Sequence, residues 1–221
     1  MQERYRANYD GEFVVVDTVW KNGRKLQSRE WIANPIINQH ISGRAVVVGT
    51  GDSIHVPMLT NLNNHRGGLL GQKKLQTYGT PESWRALHLD FCYEINDDHL
   101  KRLIETKYTQ TTVVYTTTKN CLKYPGNFFM VPYAPRLCPE AMAAYLAAFD
   151  GHQEIFFIGV DAEINGAVDV TTIAHIEDVI KTYPNVKFRF ITDGKNPPDQ
   201  WRVLPNVDVW NYKQFISYCD I

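Results

Sequence analysis

Short apolar runs rich in β-branched and aromatic residues alternate along this chain with stretches of helical character, and that alternation restricts the fold more than any other feature. The runs include "AVVV" at 45–48, the segment around Phe91–Ile95, "TTVVYTTT" at 111–118, "EIFFIGVD" at 154–161, "VKFRFIT" at 186–192 and "VDVWNY" at 207–212. Strands apolar on both faces belong to sheets covered on both sides, and parallel strands need crossovers that lay helices on those faces. The expected fold class is therefore α/β, a Rossmann-like, mostly parallel sheet with helices on both faces. The clearest unit is "CPEAMAAYLAAFDGHQEIFFIGVD". It has a Pro in the first helical turn, an Ala-rich helix, a Gly at the C-terminal cap, and a buried strand Ile155–Gly159. A strand over Leu69–Tyr78 and helices over Asp98–Thr106 and Val170–Tyr183 complete the alternation.

Before this core, "EFVVVDTVW-KNGR-KLQSREW" reads as a β-hairpin, because Asn22-Gly23 accepts the positive φ angles of a tight turn. The organisation expected from 221 residues is one domain: a hairpin extension over 1–43 and an α/β core over 44–221. Lys plus Arg number 23 and Asp plus Glu 24, so no global field draws the protein to a polyanion, and any nucleic acid must be met by a local patch. The four cysteines are scattered without metal-ligand spacing and read as reduced structural thiols. No apolar run is long enough to span a membrane and the first residues do not form a signal peptide, so the expected location is the cytoplasm, without a membrane partner.

In doubly wound sheets, ligands bind outside the carboxyl ends of the strands, at the point where strand order reverses. That rule selects Gly49–Ser53, Gln76–Thr80, Asn96–Asp98, Thr116–Thr118, Asp161–Asn165 and Thr192–Gly194. In "VGTGDS", Gly49, Thr50, Gly51, Asp52 and Ser53 are either a phosphate cradle ahead of a helix N-terminus or a simple strand-to-helix turn; the third glycine of G-x-G-x-x-G is absent. Gln76, Tyr78 and Thr80 are placed to read a base or sugar. Asp97 and Asp98 are candidates for holding a metal, for proton transfer or for capping the next helix. Asp161, at the mouth of the most buried strand, is the stronger candidate base. Arg66, Lys73 and Lys74 form a basic loop.

A strand ending in Gly-x-Gly-x-Ser, a distant helix of small residues feeding "EIFFIGVD", then "KTYPNVKFRFIT" and a closing "LPNVDVW", together resemble the superfamily of bacterial sialyltransferases, motility-associated glycosyltransferases and archaeal-type hydroxymethylpterin diphosphokinases. The resemblance covers Ala45 to Trp210. It implies that Gly49, Gly51 and Ser53 lie against a donor nucleotide and that Asp161 lines the same cleft. Asp52 stands where that superfamily usually has Pro. The His-Ser base of the sialyltransferases is replaced by Asp169, Thr171 and Thr172, so a carboxylate, Asp161 or Asp169, would take the acceptor proton. The compact size and the hairpin also resemble small bacteriophage members of the superfamily that act on hydroxymethylcytosine.

The expectation is thus a glycosyltransferase moving a pentose or hexose from a UDP-linked donor to a hydroxyl, with 5-hydroxymethylcytosine in phage DNA as acceptor and no required metal. Asp161 or Asp97 would act as base, and Lys73, Lys74 or Arg136 would stabilise the leaving group. Lys21, Arg24, Lys25 and Arg29 of the hairpin, with Arg66, Lys73 and Lys74, would hold phosphates, and Trp20, Trp31 or Trp84 would occupy the space of an extruded base. The alternatives are an ATP- and Mg²⁺-dependent pyrophosphoryl transferase and a non-catalytic nucleotide- or DNA-binding module.

Overall fold

The computed structural model of the chain describes residues 2–7, 12–21, 24–33, 43–51, 54, 56–65, 75–80, 87–131, 135–164, 167–194 and 196–221. The strands, in chain order, begin with β1 (Gln2–Ala7), β2 (Glu12–Lys21), β3 (Arg24–Ala33), β4 (Arg44–Val48), β5 (Gln76–Gly79), β6 (Phe91–Tyr93) and β7 (Val113–Thr116). They continue with β8 (Phe129–Met130), β9 (Glu154–Ile158), β10 (Glu163–Ile164), β11 (Ala167–Val168), β12 (Lys187–Ile191) and β13 (Val207–Trp210). The helices are α1 (Val56–His65), α2 (Asp97–Glu105), α3 (Thr118–Lys123), α4 (Pro139–Phe149), α5 (Val170–Thr182), α6 (Asp199–Arg202) and α7 (Tyr212–Cys219).

β2 and β3 are the expected hairpin. Lys21 pairs with Arg24 and Glu12 with Ala33, so only Asn22 and Gly23, outside the described residues, separate the strands. The surprise is β1, which adds a third antiparallel strand from Gln2↔Thr18 to Ala7↔Phe13. Its sequence, "QERYRA", has no apolar run to announce it.

The main sheet has eight strands in the order β13-β12-β9-β4-β5-β6-β7-β8, every neighbouring pair parallel. Because alternate residues of a strand face opposite sides, each apolar run feeds two cores. Val47, Tyr78, Phe91, Tyr115 and Phe157 pack with α4, α5 and Trp201 of α6. Val46, Val48, Cys92, Val114, Phe156 and Ile158 pack with Leu59 and Leu62 of α1, Leu100 and Leu103 of α2, and Phe215 and Cys219 of α7. Helices cover both faces, as the sequence pattern requires.

Strand order sets the site. From β4 the chain works outward through β5, β6, β7 and β8, then returns along α4 to place β9 on the other side of β4. The reversal lies between β4 and β9, whose carboxyl ends are followed by the glycines at 49 and 51 and by Asp161. Of the strand read over Leu69–Tyr78, the described part is the strand Gln76–Gly79, and residues 69–74 lie outside the described residues.

Candidate functional site

The ends of β4 and β9 stay paired beyond the sheet. Gly49 N donates to Ile158 O at 2.8 Å and Gly51 N to Gly159 O at 2.7 Å. These two amides are therefore committed to strand pairing and do not offer their N–H groups to a phosphate. Glycine matters here for space. A Cβ on Gly51 would lie 2.5 Å from the Asp161 carboxylate, and Gly159 holds φ +67° with Ile54 filling the space a side chain would take. The two loops thus lock together, and the Asp161 carboxyl group rests on the Gly51 backbone. Asp52 and Ser53 lie outside the described residues, and the next helix begins only at Val56.

Around Asp161 is a crevice of about 80 Å³, lined among others by Thr50, Gly51, Glu140, Glu163, Asp169 and Thr172. The structure therefore brings together Thr50, Gly51, Asp161 and Asp169 of the expected site. Sequence reading missed Glu140; Glu163, within the selected segment Asp161–Asn165, comes from the small β10–β11 hairpin, in which Ile164 pairs with Ala167. Asp169 is the N-cap of α5. Its carboxylate accepts from Thr172 Oγ1 at 2.5 Å and from Thr171 N at 3.0 Å, and the Thr172 bond above all lowers its pKa. Such a group holds the helix start, and its lowered pKa makes it a poor proton acceptor.

The acidic wall has an electrostatic consequence. A diphosphate placed in the crevice would face Glu140, Asp161, Glu163 and Asp169 together, so anionic groups are better held elsewhere. A larger cavity, about 340 Å³, opens on the same side of the sheet at the carboxyl ends of β6, β7 and β8. Thr116, Thr117 and Thr118 line it, with Arg136 and an apolar wall that includes Tyr93, Met130 and Met142. Glu140 lines the crevice and Met142 the cavity, so the first turn of α4 stands between the two, with the positive end of its dipole at that edge. His175 Nδ1 fixes this helix start by accepting from Cys138 N at 3.0 Å. A cavity of this size suits a nucleoside or sugar, and Arg136, the one cation among its described lining residues, suits an anionic substituent.

Asp97 is not part of either space. The N-cap of α2 is Asn96, which accepts from Asp98 N and His99 N, so the capping role expected of the aspartates belongs to their neighbour. The Asp97 carboxylate is held by Lys123 at 2.6 Å, Tyr124 Oη at 2.7 Å and Lys101 at 2.9 Å. Those bonds, Lys123's first, keep its pKa well below the usual carboxylate range. A carboxylate so engaged is a weak base, and β6 lies two strands from β4.

Gln76, Tyr78 and Thr80 also separate. Gln76 opens β5 at the edge away from the crevice, because the strand starts there rather than ending there. Tyr78 is buried in mid-strand, donating to Asp150 Oδ2 at 2.8 Å and lying 3.1 Å from His152 Nε2. Thr80 follows the strand at the ligand-binding edge and is buried. Lys21, Arg24 and Lys25 belong to the ribbon of β1–β3, whereas Arg66, Lys73, Lys74 and Trp84 lie outside the described residues.

The Tyr78–Asp150 pair carries a pH prediction. Burial, partly offset by the Tyr78 hydrogen bond, raises the Asp150 pKa to about 8. A carboxyl group whose folded pKa exceeds its unfolded value contributes stability that is fully present below about pH 4 and is lost as pH rises toward 8. Melting curves at pH 5 and pH 9 should show the wild type losing on the order of 4 kcal/mol more than Asp150→Asn. Parallel pH profiles of the two proteins would contradict it.

No protein-family model and no curated protein matches the chain. Among solved structures, a variant of the sialyltransferase Cst-II in complex with CMP is 13% identical over 74% of this chain and 86% of that chain, with a TM-score of 0.47. CstII from Campylobacter jejuni in complex with a substrate analogue, CMP-3FNeuAc, is 14% identical over 66% of this chain and 80% of that chain, with a TM-score of 0.43.

Proposed function

We propose that this chain is a glycosyltransferase that moves a sugar from a nucleotide-linked donor to a hydroxyl acceptor. The observation that carries the reading is the strand reversal between β4 and β9, which sets the Asp161 carboxylate on Gly51 beside a cavity bearing Arg136. In the proposed step the acceptor oxygen attacks the anomeric carbon of the donor. The bond from that carbon to the donor phosphate oxygen breaks, the acceptor proton passes to Asp161, and the departing phosphate is stabilised by Arg136 and the N-terminus of α4. Direct displacement needs a base at the acceptor hydroxyl and a cation at the departing phosphate, the roles this reading gives to Asp161 and Arg136.

For the finer identity, a UDP-linked pentose or hexose and 5-hydroxymethylcytosine in phage DNA are our reading, supported by the residue pattern from Ala45 to Trp210 and by the N-terminal ribbon. The test is mass spectrometry of hydroxymethylcytosine-containing DNA incubated with the protein and mixed UDP-sugars. A gain equal to one pentose or hexose is expected. Unmodified DNA, with transfer to a small hydroxyl acceptor from a UDP- or CMP-sugar, would retain the reaction class and discard the acceptor. Turnover of ATP and Mg²⁺ without sugar transfer would replace the reading by pyrophosphoryl transfer.

A further inference from the structure

The pairing register of the ribbon sorts its residues into two unlike faces. Directly paired residues share a face, and alternate positions along a strand change face. One face carries, rung by rung, Arg6, Val14 and Trp31; then Arg4, Val16 and Arg29; then Gln2, Thr18 and Gln27; then Trp20 and Lys25. Beyond Val14 the last rung is Glu12 with Ala33. The other face carries Tyr5, Ala7, Phe13, Val15, Val19, Leu26 and Ile32 with the acids Glu3, Asp17 and Glu30, and has Lys21 and Arg24 only at the turn.

The first face concentrates Arg4, Arg6, Lys25 and Arg29 against the single carboxylate Glu12, in a protein whose net charge is -1. Both tryptophans of the ribbon, Trp20 and Trp31, are on it. The rungs of Val14 and Trp20 are six residues apart along β2, about 20 Å at the rise of an extended strand. At the 3.4 Å repeat of stacked bases on one strand, that interval matches roughly six base steps. Between the tryptophan-bearing rungs every position is cationic, amide, hydroxyl or valine, and none is acidic.

We infer that this face of the three-stranded ribbon is a platform for a single-stranded or locally unpaired nucleic-acid segment, with Arg4, Arg6, Lys25 and Arg29 at its phosphates and Trp20 and Trp31 at its bases. Cations alone would fit any polyanion. Aromatic positions interleaved with them fit a ligand that alternates charge with flat unpaired bases, the combination that single-strand-binding sheets use. A closed duplex presents no open base faces to a tryptophan. β3 also approaches β8, the edge strand whose Met130 lines the larger cavity. The inference deepens the DNA-acceptor reading and rests on it only for the identity of the strand; binding itself needs no donor sugar.

The experiment is fluorescence anisotropy with a labelled 12-nucleotide oligo-dT, donor omitted, over a salt series. The double variant Arg4→Ala/Arg29→Ala should bind at least 10-fold more weakly and lower the slope of log affinity against log salt by about 1.4, given ~0.7 per phosphate contact on single strands. Lys21 and Arg24, expected from the sequence to hold phosphates, fall by register on the opposite face, so Lys21→Ala/Arg24→Ala should stay within about 2-fold. With the wild-type protein, an abasic 12-mer should bind at least 10-fold more weakly than oligo-dT, and a 12-base-pair duplex likewise; this arm needs no folded variant. Equal binding of oligo-dT, the abasic strand and the duplex, or equal losses in the two double variants, would overturn the platform. Face-dependent binding without sugar transfer would leave it standing while the glycosyltransferase reading fell. Transfer to a small acceptor with no oligo-dT binding would do the reverse.

Discussion

Asp161→Asn should lower kcat by two to four orders of magnitude while the KM for the donor stays within a few-fold. Loss of a positioned general base costs that much, and a group that acts only in the transition state lowers kcat without weakening ground-state binding. The substitution is nearly isosteric, which matters because the side chain lies against Gly51, where even an added methyl group would collide with the carboxylate. The loops should therefore keep their pairing through Gly49 N to Ile158 O and Gly51 N to Gly159 O. Steady-state kinetics with a UDP-sugar and a hydroxyl acceptor give the two constants. An unchanged kcat would remove Asp161 from the reaction and point to a base supplied by substrate or by residues elsewhere. A rise in KM alone would make Asp161 a binding residue. Asp169→Asn provides the contrast: its effect should appear as a less stable α5, because it is the helix cap and is already bonded to Thr171 and Thr172.

The sequence disclosed the architecture because its strands are apolar on both sides, and such runs have one stable destination, the middle of a helix-covered sheet. It disclosed the meeting of Gly51 and Asp161 for a related reason: a doubly wound order makes the first strand of the core and the strand after the long return helix neighbours. Elements announced by pairing or capping rather than by hydrophobicity were harder to see. "QERYRA" becomes β1 only because β2 offers it an edge. The helix α7 starts at a capping box formed by Asn211 and Gln214, a legible signal placed directly after a short strand. Asn165-Gly166 repeats the turn signal of Asn22-Gly23, and Ile164 and Ala167 pair across it, yet the flanking strands are two residues long and give no periodicity. Side-chain commitments were beyond reach. Asp97 and Asp161 both follow buried strands, and only the folded chain reveals that one is ringed by Lys101, Lys123 and Tyr124 while the other borders an open crevice.

The largest stability effect is expected at Glu154, on the edge of the sheet opposite the candidate site. Glu154 opens β9 between the first residues of β4 and β12. Its carboxylate accepts from Arg44 Nε at 3.0 Å, from Arg189 Nη1 at 2.6 Å, and from Tyr218 Oη at 3.0 Å. Arg189 is the reason the position is sensitive. Its side chain is only 6% exposed, its guanidinium lies 4.4 Å from the Trp210 ring centroid, and its other acidic neighbour, Asp208, is 3.5 Å from Nε and half exposed. Glu154→Ala would leave that buried cation with only the half-exposed Asp208 carboxylate at 3.5 Å, a change that costs up to about 3–5 kcal/mol. At roughly 2–4 °C per kcal/mol for a chain of this size, the melting temperature should fall by on the order of 10 °C. Arg189→Met should cost much less, because methionine still fills the space over Trp210 while Glu154 keeps Arg44 and Tyr218. Thermal melts of the two variants measure this asymmetry, and losses under 1 kcal/mol in both would class the network with exposed ion pairs. The pH dependence provides a second reading. Burial raises the Glu154 pKa, but the hydrogen bonds from Arg189, Tyr218 and Arg44 outweigh it and the net shift is downward. Its contribution is therefore present above the ordinary carboxylate pKa and lost as pH falls through the folded value, the opposite sign to Asp150. Glu154→Gln should flatten the acid side of the stability profile and leave the alkaline side, governed by Asp150, as it is in the wild type.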